Sequence, residues 1–151
     1  MIKKETLLKL IETKDNEDRT KYGTPWSYKG DYHTIDSYEL KEMVENLDEE
    51  EYDDYSAIYD ELTYDGELYE YADSACPIYY HDIAKWFGDN WSAVDDYINE
   101  FGDMATGSDG KADIMKTIQG AYCMTYERDI ASALEAVCEE AEEEAEELTT
   151  A

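Results

Sequence analysis

The chain has 151 residues, 40 of them acidic and 12 basic, for a formal net charge of −28 and a mean hydropathy of −0.76. Charge of that size costs stability through self-repulsion and exceeds what solubility needs, about 2–8 in a small domain, so it points to a cationic partner and leaves no nucleic-acid or membrane partner expected. The 15 Tyr, 3 Trp and 2 Phe exclude an ordinary acidic disordered chain, which is poor in aromatics.

The charge is uneven. Residues 1–30 carry seven basic and five acidic side chains, whereas from Asp31 onward 35 acids face only Lys41, Lys85, Lys111, Lys116 and Arg128. This divides the chain into an N-terminal helix with a basic, aromatic arm (residues 1–35) and an acidic, all-helical body (36–151). The first element is a short amphipathic helix over residues 2–12, built on Ile2, Leu7, Leu8, Leu10 and Ile11. Residues 13–33 read as an irregular arm whose Tyr22, Trp26, Tyr28 and Tyr32 call for packing back on the body. Asp36 followed by Glu39 resembles a capping box and opens a helix to about residue 47. A second body helix runs through Tyr52, Tyr55, Ile58, Tyr59 and Leu62 to a turn at Asp65-Gly66. A third covers Glu67 to about Ala75. Pro77 marks a boundary before an apolar helix with Tyr79, Tyr80, Ile83, Ala84, Trp86 and Phe87 that stops at Gly88. Ser92 with Asp95 starts the next, closed by Gly102, and a Gly-rich loop spans 102–110. The last helix, from about Lys111 to Glu147, would be roughly 50 Å long at ~1.5 Å per residue, against a radius of gyration near ~15 Å for a compact chain of this size, which implies an elongated shape or a dimer.

Chemistry of turnover finds little support, and no enzyme is expected. His33 and His81 stand alone, no cysteine falls at zinc-ligand spacing, and no phosphate-binding glycine loop or nucleophile elbow occurs. Neither a cofactor nor a dedicated metal site is expected; Asp103, Ser108, Asp109 and Asp113 surround a Gly-rich turn but lack the ligand order of a calcium loop. Cys76, Cys123 and Cys138, odd in number and far apart, read as free thiols in a reducing compartment, and with no signal-peptide or membrane-length apolar run the expected location is the cytoplasm.

The arrangement of carboxylates carries more. Side chains at i, i+3 and i+4 of a helix stand about 5–6 Å apart, comparable to neighbouring phosphates, and duplex DNA carries one charge per ~1.7 Å, so the excess beyond residue 30 matches about 50 Å of duplex. The expected DNA-mimicking surface comprises Asp95, Asp96, Glu100, Asp103, Glu127, Asp129, Glu135, Glu139, Glu140, Glu142 and Glu143.

Two stretches then resemble the Ocr family of phage antirestriction proteins, which are DNA mimics. The first is Asp65-Gly66-Glu67-Leu68 leading into Ala72-Asp73-Ser74-Ala75-Cys76-Pro77-Ile78-Tyr79-Tyr80-His81-Asp82-Ile83. The second is Asp113-Ile114-Met115-Lys116-Thr117-Ile118-Gln119 ahead of a long acidic helix. The resemblance spans about residues 65–147. It implies an all-α, elongated homodimer that occupies the DNA groove of Type I restriction-modification enzymes in the host cytoplasm, with a small apolar contact that maps onto Ile83, Ala84, Phe87 and Gly88. The N-terminal arm has no counterpart in that pattern, and Trp86 and Phe87 make the contact bulkier. Two alternatives stay open: a DNA mimic directed at a CRISPR nuclease, and an acidic chaperone or sequestering protein for a basic partner such as a histone-like protein.

Overall fold

A computed structural model describes residues 1–64, 66–77 and 79–150, with side chains at all of these except 80 and 145–150. Asp65 of the expected turn and Ile78 of the Pro-x-Tyr-Tyr string lie outside the described residues. The elements run β1 (Ile2–Lys3), α1 (Lys4–Tyr22), β2 (Ser27–Lys29), β3 (Thr34–Asp36), α2 (Ser37–Glu45), β4 (Glu51–Tyr52), α3 (Tyr55–Tyr64), α4 (Glu67–Ala75), α5 (Tyr80–Asp89), α6 (Trp91–Phe101) and α7 (Ile114–Thr150). The chain is mostly helical, and no described helix is long and apolar enough to cross a membrane. It divides into two compact units, Met1–Leu68 with Asp129–Ala151, and Tyr69–Arg128; α4 and α7 pass from one into the other.

The first unit takes in the whole N-terminal segment, so the packing boundary does not fall at residue 35. Helix α1 packs on α2, and Leu7, Ile11, Leu40, Met43 and Val44 have no exposed surface. It runs ten residues beyond the expected end at Glu12. The apolar stripe is exhausted there, but Glu, Lys and Arg are good helix formers, and buried Asp15 supplies a polar anchor: its carboxylate accepts from the Trp26 amide (3.1 Å) and pairs with Lys41 (3.2 Å). Gly23, with φ 79°, then terminates the helix in the left-handed conformation.

The arm is not irregular. β2 and β3 form an antiparallel hairpin with Tyr28 opposite Ile35, and Ile35 is fully buried. Asp36 caps α2 as expected, its carboxylate accepting from the Glu39 amide at 2.9 Å. Tyr52 belongs to no helix: Ile2 pairs with Tyr52 and Lys3 with Glu51 across β1 and β4, and Asp54 caps α3 instead, accepting from the Ala57 amide (3.1 Å). On α7, Ile130, Ala133, Leu134, Val137, Cys138 and Ala141 form the buried stripe that their spacing predicts, and the Tyr55 hydroxyl donates to the Ala131 carbonyl at 3.0 Å.

In the second unit α5 packs against α6, and Ala72, Ile83, Ala93, Ile118, Ala121 and Tyr126 are buried. The edge of one ring meets the face of the other between Trp86 and Tyr122, centroids 4.9 Å apart. Gly102 closes α6, with its amide donating to Ile98 O at 2.7 Å. The following loop is internally tied. Asp113 starts α7 by accepting from the Lys116 amide (3.0 Å), Thr106 bridges Ala112, and the Ala105 amide donates to Thr117 Oγ1 (3.0 Å). That cap moves the helix start three residues past the expected Lys111. The loop acids serve backbone: Asp103 accepts from the Met104 amide (2.7 Å) and Asp109 from the Lys111 amide (3.0 Å).

Candidate functional site

Some exposed acids line helix faces, while others, such as Asp48 to Glu51 with Asp53 and Asp54, lie between helices. In the second unit Asp95, Asp96 and Glu100 of α6 and Asp103 just beyond it are exposed, with Glu100 receiving Arg128 at 3.4 Å. In the first unit Glu135, Glu139 and Glu143 of α7 are exposed at successive i,i+4 positions, while Glu140 and Glu142 are half-buried. Residues 129–150 contain no Lys or Arg, so α7 supplies no neutralising neighbour of its own to these acids. One comes from the N-terminal segment: Lys14 Nζ lies 2.8 Å from Glu140 Oε1 and 5.3 Å from the centroid of the Trp26 ring. The basic arm therefore compensates acids inside its own unit, at Glu140 through Lys14.

Asp129 is a correction. It is 3% exposed and belongs to no acidic surface. Its Oδ1 accepts from the Asp31 amide (3.0 Å) and its Oδ2 from the amides of Tyr32 (3.0 Å) and His33 (2.8 Å), the turn that joins β2 to β3. Successive amides of a turn form an anion-binding nest, and here a carboxylate of the same chain fills it. Gly30 makes the approach possible, since a Cβ there would stand 2.4 Å from Asp129 Cγ.

Ile83 is a second correction. At 1% exposure its side chain has no surface left to offer a second copy of the chain. It lies on the inward face of an amphipathic helix, where the most apolar residue goes. Ala84 and Phe87 are half-buried and Gly88 is exposed.

Glu127 differs from the other acids of the expected surface. It lines a cleft of about 690 Å³ within the second unit, together with Asp73, Cys76, Tyr69, Tyr97, Phe101 and Cys123 among others. Burial pushes its carboxyl above the usual range. Sequence reasoning did not find this cleft, because its walls come from α4, α6 and α7 and no local motif joins them. Both Cys76 and Cys123 line the cleft, the Cys76 thiol donating to the Pro77 carbonyl and the Cys123 thiol to the Ala72 carbonyl, each at 3.8 Å. All three cysteines are free; burial pushes the thiols of Cys123 and Cys138 up to about 12 and raises that of Cys76, so they stay protonated.

Comparisons with protein-family models, with curated proteins and with solved structures gave no match to this chain.

Proposed function

We propose that the protein is a DNA mimic that inhibits a host DNA-binding defence enzyme, a Type I restriction-modification enzyme being the favoured target, by occupying its DNA groove without turnover. The observation that carries this reading is the row Glu135, Glu139 and Glu143, exposed at i,i+4 on a helix segment without a basic residue. Like charges at that spacing destabilise a helix by a few tenths of a kcal/mol per pair, and acids near its C-terminal end also oppose the macrodipole. A fold gains nothing from such a row. A partner whose cationic groove is spaced for phosphates does. Asp95, Asp96, Glu100 and Asp103 present a second acidic set in the other unit, and the likeness of the 65–83 and 113–119 stretches to the Ocr family agrees with the reading.

The mimic acts in the host cytoplasm as a homodimer, with Ala84, Phe87 and Gly88 at the contact. Light scattering at micromolar concentration should then give twice the chain mass of 17.5 kDa, and a monomer would remove the contact. The functional test is to titrate a Type I enzyme with the protein and follow DNA cleavage and DNA methylation together. Both should fall in parallel, since both need the groove. Glu135→Gln, Glu139→Gln or Glu143→Gln alone should change inhibition less than about twofold, because each is one increment of a field, while the triple variant weakens it about tenfold. An enzyme that keeps both activities at large excess of the protein sinks this target. An acidic sequestering protein, by contrast, would be indifferent to which three acids are neutralised.

A further inference from the structure

We propose that the cleft of the second unit is a receptor for an arginine side chain presented by a basic protein segment. Two carboxylates line it, and no hydrogen bond or ion pair reaches either Asp73 or Glu127 from the described residues. Glu127 is half-buried, so it has lost part of its water without gaining a partner. The one lysine of the lining, Lys116, is engaged elsewhere: its Nζ donates to the Thr106 carbonyl at 2.9 Å.

The walls are aromatic. Phe101 is 63% exposed and Tyr69 61%, a costly display for rings on a small unit, and the rings of Tyr97 and Phe101 lie 4.7 Å apart at a tilt of 47°. Tyr97 is held in place by α7, where Gly120 allows contact so close that a Cβ would come within 2.8 Å of the ring. A half-buried carboxylate, Glu127, with exposed Asp73 and aromatic faces in the same lining, defines the chemistry of the occupant. Negative ligands are repelled, and neutral apolar ones leave the carboxylates unpaired. A guanidinium satisfies both features: it is planar, weakly hydrated, bonds carboxylates in a fork and stacks on rings, whereas the compact, strongly hydrated ammonium of lysine does not stack. The cleft lies within the ordinary 300–1,000 Å³ range of binding sites, roomier than one side chain needs, so a short stretch of chain around the arginine enters with it.

The proposal rests on the reading above only in taking the partner to be a basic protein; it does not require DNA mimicry. The probes are acetyl-Gly-Arg-Gly-amide and its lysine and citrulline counterparts, titrated into the full chain at 0.15 M NaCl and followed by amide NMR shifts. The arginine peptide should bind at least fivefold more tightly than the lysine peptide and shift amides of Phe101, Gly120 and Cys123. Glu127→Gln, near-isosteric and relieving an unpaired carboxylate, should fold as well as the parent and bind at least fivefold more weakly, as should Phe101→Ala, while Glu12→Gln on α1, outside the cleft lining, changes nothing. Equal affinity for arginine and lysine, or equal loss in Glu127→Gln and Glu12→Gln, overturns the proposal, since it would leave only the diffuse field. Arginine selectivity in a protein that fails to displace DNA retains the cleft and removes the mimicry; displacement unaltered by Glu127→Gln and Phe101→Ala, without arginine selectivity, does the reverse.

Discussion

Replacing Asp129 by Ala removes the acceptor of three backbone amides at once. The His33 bond is buried and the Asp31 and Tyr32 bonds are partly so. A buried amide left unsatisfied costs about 1–3 kcal/mol, and water takes over part of the other two, so the loss should be about 3 kcal/mol. For a chain of this size that corresponds to a fall of about 6–12 °C in Tm. Asp129→Asn keeps one oxygen, which can serve Tyr32 and His33, but turns an NH2 towards the Asp31 amide; about half the loss is expected. Gly30→Ala attacks the same nest from the other side. Its Cβ would sit 2.4 Å from Asp129 Cγ and 2.7 Å from Cβ, where carbon contacts ordinarily begin near ~3.5 Å, so the turn must withdraw by about 1 Å and release the same bonds. Because both changes break one set of interactions, the double variant should cost at least about 1 kcal/mol less than the sum of the singles. Urea unfolding followed by tryptophan fluorescence in a Trp86→Phe, Trp91→Phe background measures this, since the remaining Trp26 is tied to the same unit through Asp15. A loss below about 1 kcal/mol for Asp129→Ala, or full additivity with Gly30→Ala, would refute the anchoring role.

Burial, then the hydrogen bond to Glu61 at 2.5 Å, pushes the Tyr52 phenol up to about 12 from 10.0, so the folded state favours the neutral ring. That stability is present below pH 10 and lost as pH rises through 10 to 12; Tyr52→Phe should show a shallower alkaline decline in a pH series of urea midpoints, and an unchanged slope would contradict the assignment. Self-repulsion at a net charge of −28 should make Tm climb as NaCl rises from 0.01 to 1 M, over which the screening length falls from about 30 to about 3 Å; a flat or falling Tm would show that the acids are already compensated. The raised thiol of buried Cys138 should resist iodoacetamide at pH 7.5 in the folded chain and react fully in urea, and fast labelling without denaturant would contradict its burial.

Helices were readable where a local signal coincided with a period. The Asp36–Glu39 box, the Gly102 stop and the apolar row from Ile130 to Ala141 each act within a turn or two of chain, and each lies where the residues predict. The strands were not readable, because two- or three-residue segments such as Ile2–Lys3 and Ser27–Lys29 have no period to detect and are specified by partners 50 or 9 residues away. The extension of α1 depended on Asp15 meeting Lys41 and Trp26, contacts that a polar stretch does not advertise. Asp129 was concealed by abundance: among 40 acids one more draws no notice. Its position nevertheless held a signal, for it falls three or four residues from Tyr126, Thr125 and Ala133 and one from Ile130, on the face those buried residues share. An acid on an apolar face calls for donors, and a glycine-initiated turn supplies them. The cleft had no such trace, since Asp73, Phe101 and Glu127 come together only when α4, α6 and α7 do.

The claim that charge is spaced to stand in for phosphates is tested most directly by displacement of labelled duplex DNA from a Type I restriction enzyme, read as fluorescence anisotropy over a range of NaCl. The account predicts complete displacement at near-stoichiometric protein, no ternary complex, and an apparent affinity that falls steeply as salt rises. Duplex that stays bound at a large excess of the protein, or a ternary complex of enzyme, duplex and protein, would contradict it.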